Sequence, residues 1–216
     1  MVKAVLFDLD GTLVDTLADL ADATNAVLER HNLPTHGYDA YRQFIGNGAR
    51  LLVERAAGEE AKELHAVMLE EFVEEYNRRC LDKTRPYDGV LKTLDVLTNA
   101  GILLGVVTNK PHGLAVKLVD HLFDGRFGCV FGGSTAYPKK PDPQSALLAA
   151  QALGVDIDEC VFVGDSNVDV FTAHAAGIPC IGCAFGFRGE EELLTAGADS
   201  IAYSFTELQK NGLIFD

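Results

Sequence analysis

Four aspartates stand where short apolar runs give way to polar residues. Asp8 and Asp10 follow the run at 2–7, and Asp165 and Asp169 follow the run at 160–163. Thr108-Asn109-Lys110 follows a third run at 102–107, and Lys140 lies in Lys140-Pro141-Asp142-Pro143, where prolines stiffen the turn. Carboxylates can attack as nucleophiles, carry protons or bind a hard cation. Brought together with Lys140, the four aspartates carry about −3, and close carboxylates do not all stay ionised without compensation. One divalent, oxygen-liganded cation lowers the sum to about −1, and Mg2+ is the usual partner of carboxylates at phosphate sites. A proton on Asp10 makes the site nearly neutral, able to accept an anion, and leaves Asp10 in the form a general acid needs.

The elements around these clusters supply the reason for expecting them to meet. Short apolar strands are expected at 2–7, 102–107, 129–131, 160–163 and 178–183. Helices are expected at 16–31, 90–100, 114–122, 144–153 and 168–176, with Gly101 and Gly154 as stop signals. Strands that are apolar throughout and alternate with helices point to a parallel sheet covered on both faces, an α/β doubly wound, Rossmann-like core. In such sheets ligands bind beyond the carboxyl ends of the strands, so the separated clusters share one crevice. Residues 16–85 show no strand pattern. One long helix is expected at 59–80 and shorter ones at 32–58, broken by Pro34, Gly46 and Gly48. This stretch reads as an α-helical cap inserted after the first strand, with 1–15 and 86–216 as the core.

The 216 residues are enough for one compact domain with a small insertion, and 48% hydrophobic residues supply a core. The net charge of −14 argues against nucleic-acid binding and requires local positive charge at any anion site. The apolar run after Lys3 is too short for a signal core, and no run is long enough to cross a bilayer. Five irregularly spaced cysteines fit reduced thiols and a cytoplasmic location. Cys180 and Cys183 form a C-x-x-C, but within a strand an offset of three turns them to opposite faces, as small core residues rather than a redox or metal pair. Asp8-Leu9-Asp10-Gly11 fails as a calcium loop, because its glycine is too early and no glutamate closes it. The six histidines show no ligand spacing, and Glu70, Glu71, Glu74 and Glu75 read as a solvated helix face.

Asp8-Leu9-Asp10-Gly11-Thr12-Leu13-Val14-Asp15, Thr108-Asn109-Lys110, Lys140-Pro141 and Gly164-Asp165-Ser166-Asn167-Val168-Asp169 together resemble, in order, the four motifs of the haloacid dehalogenase-like hydrolases. The resemblance covers essentially the whole chain, and the helical insertion is similar to the family's small cap. It implies that Asp8 is a nucleophile forming an aspartyl-phosphate and that Asp10 protonates the leaving alkoxide and then activates water. It also implies Mg2+ held by the Asp8 and Asp165 carboxylates and the Asp10 carbonyl, with Asp169 behind the metal's waters. Thr108 and the Asn109 N–H would bind phosphoryl oxygens, and Lys140 would offset charge on the transferring group. Lys110 is read as a polar residue beside the site. An aspartate at position 10 favours phosphatases and phosphomutases over dehalogenases.

Asp15-Thr16, the cap size and Gly46-Asn47-Gly48-Ala49-Arg50 look like the phosphoglycolate phosphatase group, so a small phosphorylated substrate, 2-phosphoglycolate first, is the expected partner. Arg50 either pairs with a substrate carboxylate through its planar guanidinium or is a solvated charge beside two helix-separating glycines; both readings stay open. The alternatives are a pyrophosphatase, nucleotidase or sugar-phosphate phosphatase of the same build. Further off are a sugar phosphomutase, whose cap residues are not identifiable here, and a non-hydrolytic phospho-acceptor module, which is about half this length and has no cap.

Overall fold

The computed structural model describes residues 1–216 apart from 213 and 216. Six parallel strands form the sheet, in the order β5-β4-β1-β6-β7-β8. They are β1 (Ala4–Phe7), β4 (Leu103–Pro111), β5 (Cys129–Gly133), β6 (Cys160–Gly164), β7 (Cys180–Cys183) and β8 (Ser200–Ala202). Strand β1 lies centrally between β4 and β6, and the chain winds outward from it in both directions. Asp8, Thr108 and Asp165 are therefore carried by three adjacent strands.

Period-two alternation sends successive side chains of these strands into two separate cores. Val5, Phe7, Val161, Val163, Ile181 and Cys183 join one buried cluster, while Ala4, Leu6, Cys160, Phe162 and Cys180 join the other. Cys180 and Cys183 thus face opposite sides of the sheet, and all five cysteines are free thiols. The core helices cover both faces: α5 (Val90–Asn99), α6 (His112–Phe123), α7 (Gln144–Leu153), α8 (Asn167–Ala176) and α9 (Glu190–Ala196). Gly154 ends α7 in the left-handed conformation that its missing Cβ permits. Among the described residues, no helix is long and apolar enough to cross a membrane.

Between β2 (Val14–Asp15) and β3 (Arg85–Pro86), which pair antiparallel, runs an all-helical segment, called the cap below. It comprises α1 (Leu17–Arg30), α2 (Tyr38–Phe44), α3 (Ala49–Ala57) and α4 (His65–Arg79). Its return strand is pinned by buried Asp19 on α1, whose carboxylate accepts from the N–H groups of Lys83 and Thr84 and from the Thr84 hydroxyl at 2.8–3.0 Å.

Two elements differ from expectation. The helix expected at 59–80 is divided into a 3-10 turn over Glu59–Leu64 and α4, with Ala61 off helical geometry. Good helix formers do not force this break; reversal from α3 into α4 does, and the His65 ring closes the turn on the Gly58 carbonyl at 2.9 Å. Strand β4 runs on beyond 107 to Pro111, but its register with β5 slips between Val107 and Pro111. Thr108, Asn109 and Lys110 occupy that irregular stretch. Glu75, expected on a solvated face, is buried and paired with Arg30, Arg78 and Arg79.

Candidate active site

Asp8 and Asp10, just beyond the carboxyl end of β1, and Thr108, Asn109 and Lys110, on the irregular last stretch of β4, line one cavity roofed by the cap residues Leu20, Ile45, Gly46, Gly48, Leu52, Phe72 and Tyr76. Its volume is about 40 Å³, room for roughly three waters.

Lys140 Nζ lies 3.0 Å from Asp8 Oδ1 and 2.6 Å from Asp169 Oδ1. Asn109 holds the lysine's backbone: its side-chain carbonyl accepts from the Lys140 N–H at 2.9 Å and its amide donates to the Lys140 carbonyl at 3.1 Å. The same amide reaches the Gly46 carbonyl of the cap at 3.3 Å. This side-chain role was not foreseen from the sequence, where only the Asn109 N–H was considered. Both Asp169 oxygens are engaged: Oδ1 accepts from Lys140 Nζ, and Oδ2 accepts from the Asp165 N–H, the Ser166 N–H and the Ser166 hydroxyl. Ser166 and Asp169 form the capping box that starts α8, so the helix start fixes the fourth aspartate.

Asp165 accepts from the Phe187 N–H at 2.7 Å and from the Thr12 hydroxyl at 3.4 Å. Gly11, at φ +86°, leaves the space this carboxylate fills, since a Cβ there would overlap it. Burial, with the charges of Asp169 and Asp8, pushes the Asp165 carboxyl well above its usual range. Burial also raises Asp8 to about 6, opposed by Lys140 and assisted by Asp169 and Asp10. Burial pulls Lys140 down, but Asp169 and Asp8 outweigh it and leave the ammonium above its ordinary value.

Lys110 is not beside the site but within it. Its side chain is 2% exposed and its ammonium lies 2.9 Å from Asp10 Oδ1. The count of four carboxylates must therefore include two ammoniums, which leaves about −2, a charge that one divalent cation cancels.

The carboxylate oxygens of Asp8, Asp165 and Asp169 lie within 4.8 Å of one another in a buried, all-oxygen set. Asp8 Oδ1 receives no well-aligned hydrogen bond despite its nearness to Lys140. An orphaned buried oxygen, two carboxyls raised by burial and mutual repulsion, and a residual negative charge fit a hard divalent cation. With Asp169 fully engaged, Asp8 and Asp165 are the carboxylates open to it.

Arg50 is not brought to the cavity. It stands in the first turn of α3 with its side chain 73% exposed, paired with Glu54 at 2.6 Å. Four contributors besides Asn109 were missed or undervalued: Thr12, Thr16, Lys110 and Tyr76. Thr12 and Lys110 lie inside the motifs and Thr16 directly follows the first, but Tyr76 stands in a helix whose pattern signals only a core position.

Residues 5–183 match the family model described as haloacid dehalogenase-like hydrolase. A phosphoglycolate phosphatase of Caulobacter vibrioides is 37% identical over 211 residues, covering 95% of this chain and 89% of the relative. A crystal structure described as a predicted phosphoglycolate phosphatase from Haemophilus somnus superposes with a TM-score of 0.90 at 32% identity, over 97% of both chains. CbbY from Rhodobacter sphaeroides, in complex with phosphate, gives a TM-score of 0.81 at 26% identity over 96% of both chains. With its motifs gathered at the strand ends of a parallel sheet, the chain belongs to the haloacid dehalogenase-like hydrolases, in the phosphoglycolate phosphatase-like group of phosphoric monoester hydrolases.

Proposed function

We propose that this hydrolase is a Mg2+-dependent phosphatase that cleaves a small phosphate monoester, 2-phosphoglycolate first, through an aspartyl-phosphate on Asp8. The observation that carries the reading is the convergence of Asp8 and Asp10 on one cap-covered cavity, with Lys140 3.0 Å from the Asp8 carboxylate. An Asp8 carboxylate oxygen attacks phosphorus, a P–O bond to the Asp8 oxygen forms, and the ester P–O bond breaks. Asp10 gives its proton to the departing alkoxide, then takes a proton from the water that attacks the aspartyl-phosphate. The P–O bond to Asp8 breaks in that second step, which frees phosphate and restores both carboxyl groups. Thr108 and the Asn109 N–H hold phosphoryl oxygens, and Lys140 offsets their charge. Mg2+, held by Asp8, Asp165 and the Asp10 carbonyl, would supply charge neutralisation at the phosphoryl group.

The division into a core of 1–15 and 86–216 and a cap of 16–85 belongs to the same reading. The cavity lies beneath cap residues from three helices, so in this reading the cap lifts for entry and closes to exclude water. The choice of 2-phosphoglycolate rests on the curated relatives.

The test is phosphate release from 2-phosphoglycolate, pyrophosphate, a nucleoside monophosphate and several sugar phosphates, with and without Mg2+, using Asp8→Asn as control. Mg2+-dependent preference for 2-phosphoglycolate, lost in the variant, supports chemistry and substrate together. A flat profile that still needs Asp8 retains the mechanism and discards the substrate; no release from any ester overturns the reading.

A further inference from the structure

We propose that Lys110 is a positioning residue that fixes the Asp10 carboxylate and ties its placement to the cap through Tyr76. The inference rests on the reading of Asp10 as the proton carrier of the reaction.

The ammonium of Lys110 has three N–H donors and no acceptor, and three oxygens surround it. Asp10 Oδ1 lies at 2.9 Å, Asp10 Oδ2 at 3.1 Å and the Tyr76 hydroxyl at 2.8 Å. Both oxygens of the carboxylate therefore face one buried cation. Asp10 Oδ1 also accepts from the Thr16 hydroxyl at 2.8 Å. A carboxylate held at both oxygens from one side and at one from another has little freedom to rotate. The other lysine of the site is committed elsewhere, to Asp8 and Asp169. The two cations thus divide the carboxylates, one serving the nucleophile and the other the proton carrier.

The backbone explains how Lys110 reaches this position. It occupies the stretch of β4 where pairing with β5 slips, and its N–H donates to the Thr108 hydroxyl at 3.3 Å. A buried ammonium without partners is costly, so the side chain goes where oxygens are.

Tyr76 belongs to α4 of the cap. Its ring stacks on Phe72 at a centroid distance of 5.6 Å, and both rings line the cavity. Lys110 Nζ also lies 4.4 Å from the centre of the Tyr76 ring. Movement of α4 away from the core takes one of the three oxygens from Lys110. With the cap closed, Lys110 is fully partnered and Asp10 is held; with it lifted, the clamp is incomplete. Asp10 is thereby held in one orientation when the substrate is enclosed.

A leaving-group comparison reads this directly. kcat/KM reports the steps up to phosphorylation of Asp8. An alkyl ester such as 2-phosphoglycolate needs a proton on its leaving oxygen, whereas p-nitrophenolate departs from p-nitrophenyl phosphate without one. Lys110→Met should lower kcat/KM for the alkyl ester about 100-fold, the scale of a misplaced general acid, and less than about 5-fold for p-nitrophenyl phosphate. Tyr76→Phe keeps the ring and removes the oxygen. It should show the same selectivity at about 10-fold, and the double variant should be no slower than Lys110→Met alone, because Tyr76 acts through Lys110. If Lys110→Met does not fold, Tyr76→Phe carries the comparison. Equal losses on both esters, or multiplying losses in the double variant, overturn the proposal. A crystal structure of Lys110→Met, or of Tyr76→Phe in its place, gives a readout independent of turnover. A turned Asp10 carboxylate supports the clamp, and an unmoved one overturns it even if no ester proves to be a substrate and the phosphatase reading itself falls.

Discussion

Asp8→Asn should spare the metal-free protein a loss of stability that wild type suffers as pH rises to neutral. Asp8 is buried beside Asp169 and Asp10, and its carboxyl is raised from 3.8 to about 6 despite Lys140. A raised acid keeps its proton longer in the folded chain, so between about pH 4 and 6 the folded state binds more protons than the unfolded one. Stability then falls as pH rises through that window, the reverse of a salt-bridged aspartate. At 1.36 kcal/mol per pH unit the loss reaches about 3 kcal/mol by pH 7.5. Asparagine carries no charge and escapes it. For a chain of this size, about 3 kcal/mol corresponds to about 6–12 °C in Tm. The assay is thermal denaturation of wild type and Asp8→Asn in excess chelator at pH 4 and 7.5. The quantity read is the change in their Tm difference, which removes any pH-independent effect of the substitution. The variant should gain about 6–12 °C on wild type between the two pH values. A difference that stays constant, or moves the other way, would refute the view that burial and the neighbouring carboxylates outweigh Lys140 at Asp8.

Mg2+ should erase that deficit: at pH 7.5 it should raise the wild-type Tm by several degrees, at pH 5 by much less because protons compete for the same carboxylates, and in Asp165→Asn hardly at all. Gly11→Ala should cost about 2 kcal/mol or more in urea denaturation and abolish activity, since φ is +86° and the new Cβ overlaps the Asp165 carboxylate; retention of wild-type stability would contradict that crowding. Arg50→Ala should raise KM for a carboxylated ester more than for a neutral one if α3 carries Arg50 to the substrate when the cap moves, whereas equal effects would leave it the exposed partner of Glu54.

Much of the site was legible because it is written locally. Asp8-Leu9-Asp10-Gly11, Thr108-Asn109-Lys110 and Gly164-Asp165-Ser166 each follow an apolar run, and a parallel sheet aligns the ends of such runs on one edge. Strand alternation alone separated Cys180 from Cys183, and the stop signals at Gly101 and Gly154 ended α5 and α7 where expected. These are short-range effects: periodicity, backbone preference and charge within a few residues. What depended on contacts distant in sequence was not legible. Lys110 and Asp10 are 100 residues apart, and nothing in Thr-Asn-Lys says that the lysine turns inward to the carboxylate and a tyrosine of the cap. Asn109 bonds the Lys140 backbone 31 residues away, and Glu75, within an acidic helix face, is buried by arginines that include Arg30 of another helix. Sequence alone determined which groups could do the chemistry and at which edge they collect. Only the tertiary structure decided which cation serves which carboxylate, because that choice is made by burial, where an unpaired charge is too costly to leave without a partner.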